Sequence, residues 1–280
     1  MPKQAVITEY TIVSDKLQHD MTVGLVADIH ERNAADIAAL LEQTRPDIIA
    51  LAGDILERFD NHSPLECYKS NPHIFHRVFL TAAAHFNYIV MHKILKNLPD
   101  EQNAFAFMAR AAKVAPVYYS RGNHEELFLE EDVAFFREHG IITPDHKAVT
   151  VQVNGNTLHI GGISSDSEEA QAWLEKFARQ DGFKLLLCHR PEHYAAMVRD
   201  KDIDLTLAGH NHGGQIRLFG HGLLSSGGKL LPQYDCGVFD NRLVITAGCS
   251  NTVALPRIGN PRELVLVRLR AKPGSSGHMA

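Results

Sequence analysis

The chain has 280 residues, of which 45% are hydrophobic, so it can bury a sizeable core. Its net charge of -5 gives no electrostatic reason to expect nucleic acid as a partner, and none is expected. It contains no run of about 18 uncharged apolar residues, and its first residues lack the basic-then-apolar pattern of a signal peptide. We therefore expect a chain that is cytoplasmic or peripheral at a membrane.

Predicted strands and helices alternate along the first half of the chain, which is typical of layered α/β proteins. MTVGLVADIH (21–30) predicts a buried strand. NAADIAALLEQTR (33–45) predicts a helix with Asn33 as its N-cap. PDIIALAGD (46–54) predicts the next buried strand, and a long helical region follows to about residue 113. APVYYSRGNHEE (115–126) predicts a strand that opens into a polar loop.

The second half repeats this scheme. AVTVQVNGNTLHIGG (148–162) predicts a hairpin whose turn is the NG pair. FKLLLCHRPEH (183–193) and DIDLTLAGHNH (202–212) each predict an apolar strand that ends in polar residues. Because no low-complexity linker separates the halves, we expect a single domain over residues 1–272, with a helical insertion at about 59–112 and a flexible tail at 273–280.

Five predicted strands each end in a short polar group. In open α/β sheets, ligands bind beyond the carboxyl ends of the strands, where these five groups could converge. Carboxylate, amide oxygen and imidazole suit Zn, Mn, Fe or similar divalent ions, and the set is too large for one tetrahedral ion. Two divalent metal ions that share one carboxylate would engage the whole set of side chains. Alternatively, these residues cap helices or form hydrogen bonds within loops. They are Asp28, His30, Asp54, Asn123, His124, His189, His210 and His212.

The order of these groups resembles that of the calcineurin-like metallophosphoesterases. The matching elements are DIH (28–30), GD (53–54), GNHE (122–125), CH (188–189) and GHNH (209–212). The resemblance implies a four-layer α/β/β/α sandwich. It further implies one metal held by Asp28, His30, Asp54 and His212, and a second held by Asp54, Asn123, His189 and His210. His210 and His212 would point to the same side of an extended backbone and Asn211 away from it.

The same resemblance implies a dinuclear phosphoesterase that hydrolyses a phosphodiester, phosphomonoester or pyrophosphate bond by attack of a metal-bound hydroxide. His124 matches the family's non-ligand histidine, which could protonate the leaving group as a general acid. GDILER (53–58) is similar to the GDxxDR of serine/threonine phosphatases in this superfamily. By that similarity, Glu57 would orient His124 and Arg58 would bind phosphate, although Glu57 could equally be a solvated charge at the start of a helix.

The closing segments GGQIRL (213–218) and VITAGCSNTVALPRIGNPRELVLVRL (244–269) are similar to those of the small bacterial YkuE/YaeI-like branch. Asn211 stands where this branch usually has threonine, and Arg262 where it has proline. Relatives in the branch are often membrane-anchored. Some hydrolyse lipid-linked nucleotide sugars, so a pyrophosphatase of the UDP-diacylglucosamine type is one alternative function. A noncatalytic metal-binding interaction module is another.

Residues 72–98, within the insertion, carry large apolar side chains at helical spacing, including Phe79 and Phe86. They could form a helix packed on the domain, a cap over the metal cleft, a lipid-facing surface or a dimer contact. The expected partner is therefore a phosphoester substrate whose leaving group could be lipophilic, with peripheral membrane contact through this insertion.

Overall fold

Two β-sheets stacked face to face form the centre of the protein. The structure, a computed structural model, describes residues 4–58, 98–224, 230–253 and 255–273. The described strands are β1 (Val6–Ser14), β2 (Met21–Val26), β3 (Ile48–Ala52), β4 (Val117–Ser120), β5 (Ala148–Val153), β6 (Asn156–Ile163), β7 (Phe183–Cys188), β8 (Leu205–Ala208), β9 (Arg217–Leu218), β10 (His221–Gly222), β11 (Gly237–Phe239), β12 (Leu243–Ile245) and β13 (Glu263–Ala271).

The strands pair into two main sheets and one hairpin. The first sheet has the order β1-β13-β2-β3-β4, the second has the order β11-β12-β8-β7-β6-β5, and β9 pairs with β10. Within the first sheet β2, β3 and β4 run parallel, and within the second β6, β7, β8 and β12 do. Parallel neighbours bring their carboxyl ends to one edge of each sheet.

Helices cover the outer faces of the sheets. The described helices are α1 (Ala35–Thr44), α2 (Glu101–Ala112), α3 (Glu130–His139) and α4 (Glu168–Ala178), and a short helical stretch comprises Pro191–His193 and Tyr194–Val198. Among the described residues, no helix is long and apolar enough to cross a membrane.

Three buried clusters separate the layers. Between the sheets, Val23 and Leu25 of β2 belong to the same cluster as Leu185 and Leu187 of β7. A second cluster joins the outer face of the first sheet to α1, α2 and α3, and a third joins the second sheet to α4 and the stretch at 191–198. This α/β/β/α order confirms the four-layer sandwich.

The strands predicted at 21–30, 46–54, 115–126, 183–193 and 202–212 are present as β2, β3, β4, β7 and β8. The predicted hairpin is also present, and both residues of its turn have positive φ, 48° at Asn154 and 76° at Gly155. Asn33 accepts from the backbone N–H of Ala35, although α1 itself begins after Ala34. Residues 59–97, which include most of the expected insertion, lie outside the described residues, as do 274–280 of the expected tail.

Glu125 joins the loop after β3 to the loop after β4. Its carboxylate is 1% exposed and accepts five hydrogen bonds, all between 2.6 and 2.8 Å. The donors are the backbone N–H groups of Asp54, Ile55, Leu56 and Gly122 and the hydroxyl of Tyr119. Burial and the Asp54 charge raise the pKa of Glu125, whereas the bonds from Tyr119 and the backbone N–H groups oppose this rise. All five donors are met by carboxylate oxygens acting as acceptors. Glu125 was assigned no role from the sequence, although it is the last residue of the GNHE motif.

We expect Glu125→Gln to lower the free energy of unfolding by about 3 kcal/mol or more, because the amide nitrogen would face buried N–H donors that keep no other acceptor. Urea unfolding followed by circular dichroism measures the change. Glu138→Gln, at an exposed position on α3, is the control and should stay within about 0.5 kcal/mol of the parent. Equal stabilities of the two variants would contradict the role given to Glu125.

Candidate metal centre

The predicted metal ligands lie on tight turns that follow the strands. Five of them have left-handed backbone conformations, with φ between 46° and 75°: Asp28, His30, Asp54, His210 and His212. Non-glycine residues seldom adopt positive φ, and such strain tends to collect at functional sites. The expectation of an extended backbone at 210–212 is therefore wrong. The chain leaves β8 at Ala208 and turns sharply at His210 and His212. This turn directs both imidazoles into the cleft that the loop after β2 also borders.

A first group of ligating atoms comes from the loops after β2 and β8. His30 Nε2 lies 3.3 Å from His212 Nε2, and Asp28 Oδ1 lies 3.9 Å from the former and 3.6 Å from the latter. Ligand atoms that are about 2.0–2.2 Å from one ion are themselves roughly 3–4 Å apart. Asp28, His30 and His212 therefore have the spacing of a metal site.

A second group contains Asp54, His189 and His210, whose ligating atoms lie within 4.8 Å of one another. Among the described residues, His189 Nε2, His210 Nδ1 and the Asn123 side-chain oxygen are buried atoms without a hydrogen-bond partner. Unpaired buried polar atoms are costly, so three together indicate a missing partner. A divalent cation bound by nitrogen and oxygen atoms would satisfy all three.

Asp54 lies between the two groups. Its Oδ2 is 3.7 Å from His30 Nε2 and 3.1 Å from His189 Nε2, and its Oδ1 accepts from the backbone N–H of His124. The carboxylate is 2% exposed. This position allows one carboxylate to contact two cations, as the sequence-based assignment requires.

Hydrogen bonds on the far side of two imidazoles set which nitrogen faces the cleft. His189 Nδ1 lies 2.7 Å from the carbonyl oxygen of Ala52 and His30 Nδ1 lies 2.9 Å from Glu57 Oε1, so in each ring Nδ1 is the donor. The Nε2 lone pairs then point towards the groups described above. Such outer partners are usual for metal-binding histidines.

His124 and Glu57 are brought together as predicted. His124 Nδ1 lies 2.8 Å from Glu57 Oε2, so one carboxylate binds both His124 and His30. Burial raises the pKa of Glu57, but its bonds to the two histidines outweigh this and lower the pKa to about 2. Burial likewise lowers the pKa of His124, but Glu57 and Asp54 raise it to about 9. His124 also has ligand spacing with His30 and Asp54, and its side chain is 28% exposed, so it reaches solvent.

Arg58 does not face the cleft. Its guanidinium donates to both oxygens of Asp132 at 2.9 and 2.8 Å and to Glu31 at 2.7 Å, and it lies 3.3 Å from Glu101. The side chain is 7% exposed, and its carboxylate partners raise its pKa. The expected phosphate-binding role of Arg58 is not supported by these contacts, which tie the loop after β3 to α2 and α3.

Two glycines allow the carboxylates to approach the backbone. The Cβ of a side chain at Gly122 would collide with Asp54 Oδ1, and that of a side chain at Gly209 would lie 2.7 Å from Asp28 Oδ2. Either contact would displace a predicted ligand. The glycines of the GNHE and GHNH motifs therefore make room for the carboxylates of the site.

The segment 257–262 braces the loop after β8. Asn260 Nδ2 donates to the carbonyl of His212 at 2.7 Å, and Arg262 donates to Asp36 and to the carbonyl of Asn33. Asn211 turns away from the cleft and donates to the carbonyl of Tyr234. The sequence predicted no structural role for segment 244–269 beyond its similarity to a family branch. In the structure, Asn260 and Arg262 of this segment hold the His212 turn and the start of α1 in place.

The histidines differ in charge. Burial lowers the pKa of His210 to about 3 and that of His212 well below its usual value. Both imidazoles are therefore neutral at pH 7, as ligands must be. Burial also opposes the charged form of His189, but the Asp54 carboxylate outweighs it and raises the pKa of His189 to about 9.

The fold and these two linked groups of ligating atoms define an α/β protein built to bind metal. The sequence profile of the family described as calcineurin-like phosphoesterase matches residues 21–214, and the chain belongs to this family. That match does not distinguish branches, so membership of the YkuE/YaeI-like branch stays a prediction.

Similar proteins agree with this assignment. Protein YpbG of Bacillus subtilis (strain 168) is 30% identical over 158 residues, which cover 55% of this chain and 58% of YpbG. The metallophosphoesterase YkoQ of the same organism is 24% identical over 200 residues, 68% of this chain and 60% of YkoQ. The chain thus spans about three fifths of the length of these relatives.

More distant likeness extends to solved structures. The 5′-nucleotidase precursor from Thermus thermophilus has a TM-score of 0.44 and 13% identity, over 91% of this chain and 55% of that one. The NAD nucleotidase NadN of Haemophilus influenzae has a TM-score of 0.41 and 14% identity, over 69% and 38%. Likeness at this level carries no inference about substrate.

Metal binding should release the proton of His189. In the metal-free protein this imidazole is charged below its pKa of about 9, and it must be neutral to act as a ligand. Apparent metal affinity should therefore rise with pH between pH 6 and 8, up to about tenfold per pH unit for each proton released. Titration calorimetry of Mn²⁺ in two buffers of different ionisation enthalpy counts the protons. An affinity independent of pH in this window would contradict the assignment.

Asp54→Ala should remove both metal ions, because its carboxylate is the one shared by the two groups. Elemental analysis of protein purified without chelator measures the metal content. Asp28→Ala is the comparison: Asp28 belongs to one group, so this variant should lose one ion and keep the other. Retention of two ions by the Asp54 variant would exclude the shared carboxylate.

Proposed function

We propose that this chain is a dinuclear, metal-dependent phosphoesterase. The observation that carries the proposal is Asp54, whose Oδ2 lies between His30 and His189 at 3.7 and 3.1 Å. Next to it are two buried atoms, His210 Nδ1 and the Asn123 side-chain oxygen, that have no hydrogen-bond partner among the described residues. Membership of the calcineurin-like phosphoesterase family supports phosphorus as the reacting centre.

The residues divide into two sets of ligands. Asp28, His30, Asp54 and His212 would hold one ion, and Asp54, Asn123, His189 and His210 the other. Carboxylate, amide and imidazole donors fit Mn, Fe, Zn or similar divalent ions. When bound, such a pair lowers the pKa of water to supply the nucleophile and neutralises charge on the phosphoryl oxygens.

His124 supplies the proton that the leaving group needs. In the metal-free protein, Glu57 and Asp54 raise the pKa of His124 to about 9, which favours the protonated imidazole, and the side chain is partly exposed. Glu57 fixes the ring by accepting from Nδ1, so that the proton at Nε2 is the one donated. Glu57 is thus a positioning residue, and His124 is the catalytic acid.

The bond cleaved is a phosphodiester, phosphomonoester or pyrophosphate bond. Loops around the centre select the leaving group, and the apolar residues 72–98 that suggested a lipophilic one lie outside the described residues, apart from the last of them. Phosphoesters such as nucleotides therefore form the first panel of substrates to assay.

Turnover of p-nitrophenyl phosphate and bis-p-nitrophenyl phosphate tests the proposal, with Mn²⁺, Fe²⁺ or Zn²⁺ added to protein freed of metal by chelation. Activity that depends on metal and disappears in His189→Ala supports a phosphoesterase. Tight metal binding without turnover of these esters, of nucleotides or of UDP-diacylglucosamine would instead identify a noncatalytic metal-binding module.

His124→Gln should lower kcat by about 10²–10⁴-fold for an alkyl phosphoester, whose leaving group must be protonated. The loss should be far smaller for p-nitrophenolate, which leaves without a proton. His221→Gln, at an exposed position on β10, is the control and should change neither rate. Equal losses of His124→Gln with both esters would contradict the general-acid role.

A further inference from the structure

Unpaired buried side-chain atoms concentrate at the metal centre and its border. In the part of the chain that the structure describes, they belong to five residues: Asn123, His189, His210, Ser250 and Arg32. The first three are predicted ligands. Ser250 follows Cys249, whose N–H donates to Ala27 just before Asp28. Arg32 is the one arginine of this set, and neither the fold nor the proposed metal sites account for its unpaired atoms.

Arg32 lies two residues after His30. Its backbone N–H donates to the carbonyl of Ile29 at 3.0 Å, which closes a turn between β2 and α1. The side chain is half-buried, and its Nε and Nη1 have no hydrogen-bond partner among the described residues. A guanidinium is a permanent cation with fixed donors, so leaving two of them unmet in a buried position is costly.

The neighbouring carboxylates do not meet this need. Burial lowers the pKa of Arg32, whereas the charges of Glu57 and Glu31 oppose that effect, so both lie near the guanidinium. Glu31 is bound by Arg58 at 2.7 Å and by the N–H of Glu57 at 3.2 Å. Glu57 is bound by His30 and His124. Arg32 is therefore held beside two carboxylates that are already engaged elsewhere.

These contacts distinguish Arg58, which the sequence predicted to bind phosphate, from Arg32, to which it gave no role. Arg58, in the position expected to bind phosphate, has its donors occupied by Asp132 and Glu31. Arg32 keeps two charged N–H donors, Nε and Nη1, without a partner among the described residues, near the residues that bind His30 and His124. An anion in the cleft that offers an oxygen to one of these donors is the partner that matches them.

We propose that Arg32 binds a nonbridging phosphoryl oxygen of the substrate and of the phosphate product. This inference rests on the proposed phosphoesterase function, since that function brings the phosphoryl group to the cleft. Arg32 is then a substrate-binding residue, and its contribution adds to that of the metal ligands.

The test is the binding of inorganic phosphate to the metal-loaded protein, measured by titration calorimetry, with kcat and KM for p-nitrophenyl phosphate as a second readout. Arg32→Met removes the charge at similar length, and Arg32→Lys keeps the charge without the Nε and Nη1 donors. Arg110→Met is the control, because Arg110 also contacts the start of α1, at the carbonyl of Ala35, but bonds to Glu42 away from the cleft.

Arg32→Met should raise the Kd for phosphate and the KM at least about tenfold, as expected for the loss of a charge-assisted bond, and Arg32→Lys should raise them less. Metal content and Tm should match the parent, and Arg110→Met should leave both constants within about twofold. If Arg32→Met does not fold, the proposal is tested by the increase in the phosphate Kd and the KM of Arg32→Lys.

Constants within about twofold of the parent in both Arg32 variants would overturn the proposal, as would a parent protein that binds no phosphate. The proposed function fails separately: if the parent turns over no phosphoester but its phosphate binding still weakens in Arg32→Met, the anion site stands and the phosphoesterase does not. If turnover occurs and is indifferent to Arg32, the phosphoesterase stands and the anion site does not.

Discussion

The carboxylate of Glu125 is the interaction on which the site depends. It gathers four backbone N–H groups and one hydroxyl from two loops that follow neighbouring parallel strands. One loop carries Asp54 and Glu57, and the other carries Asn123 and His124. Without this shared acceptor, the buried donors would need water, and the two loops would be joined only by the remaining bonds between them, such as that from the Arg58 N–H to the His124 carbonyl. Glu125 thereby supports the pairing of Glu57 with His124 and the position of Asp54 over the cleft.

The strained turns at the site depend on the rigidity of what surrounds them. A left-handed backbone at Asp54 or His212 is unfavourable by itself, and it persists only where other contacts determine the conformation. At Asp54 those contacts come from Glu125, and at His212 from Asn260. The stacked sheets behind them present the carboxyl ends of β2, β3, β4, β7 and β8 to one cleft. Stability and preorganisation of the site therefore come from the same bonds.

The sequence was sufficient to predict the order of strands and the side chains at their ends. Apolar runs that stop at polar groups, alternating with helices, determine which ends meet once the sheets form. Local backbone geometry was not accessible in this way: the turn at 210–212 depends on packing of Asn260, about fifty residues later. Arg58 and Arg32 illustrate the same limit. Both lie near predicted ligands in the sequence, but distant partners, Asp132 above all, decide which guanidinium is occupied.

Glu57 also couples cation binding at His30 to proton binding at His124. Its two oxygens bind Nδ1 of His30 and Nδ1 of His124, so a single negative charge is divided between a residue in ligand position and the residue in position to donate a proton. Positive charge placed at His30 strengthens its interaction with the Glu57 carboxylate and weakens the interaction of that carboxylate with His124. By thermodynamic reciprocity, the protonation state of His124 must then alter the affinity of the His30 group for a cation by the same factor. Cation binding at the His30 group and proton binding at His124 are therefore coupled equilibria.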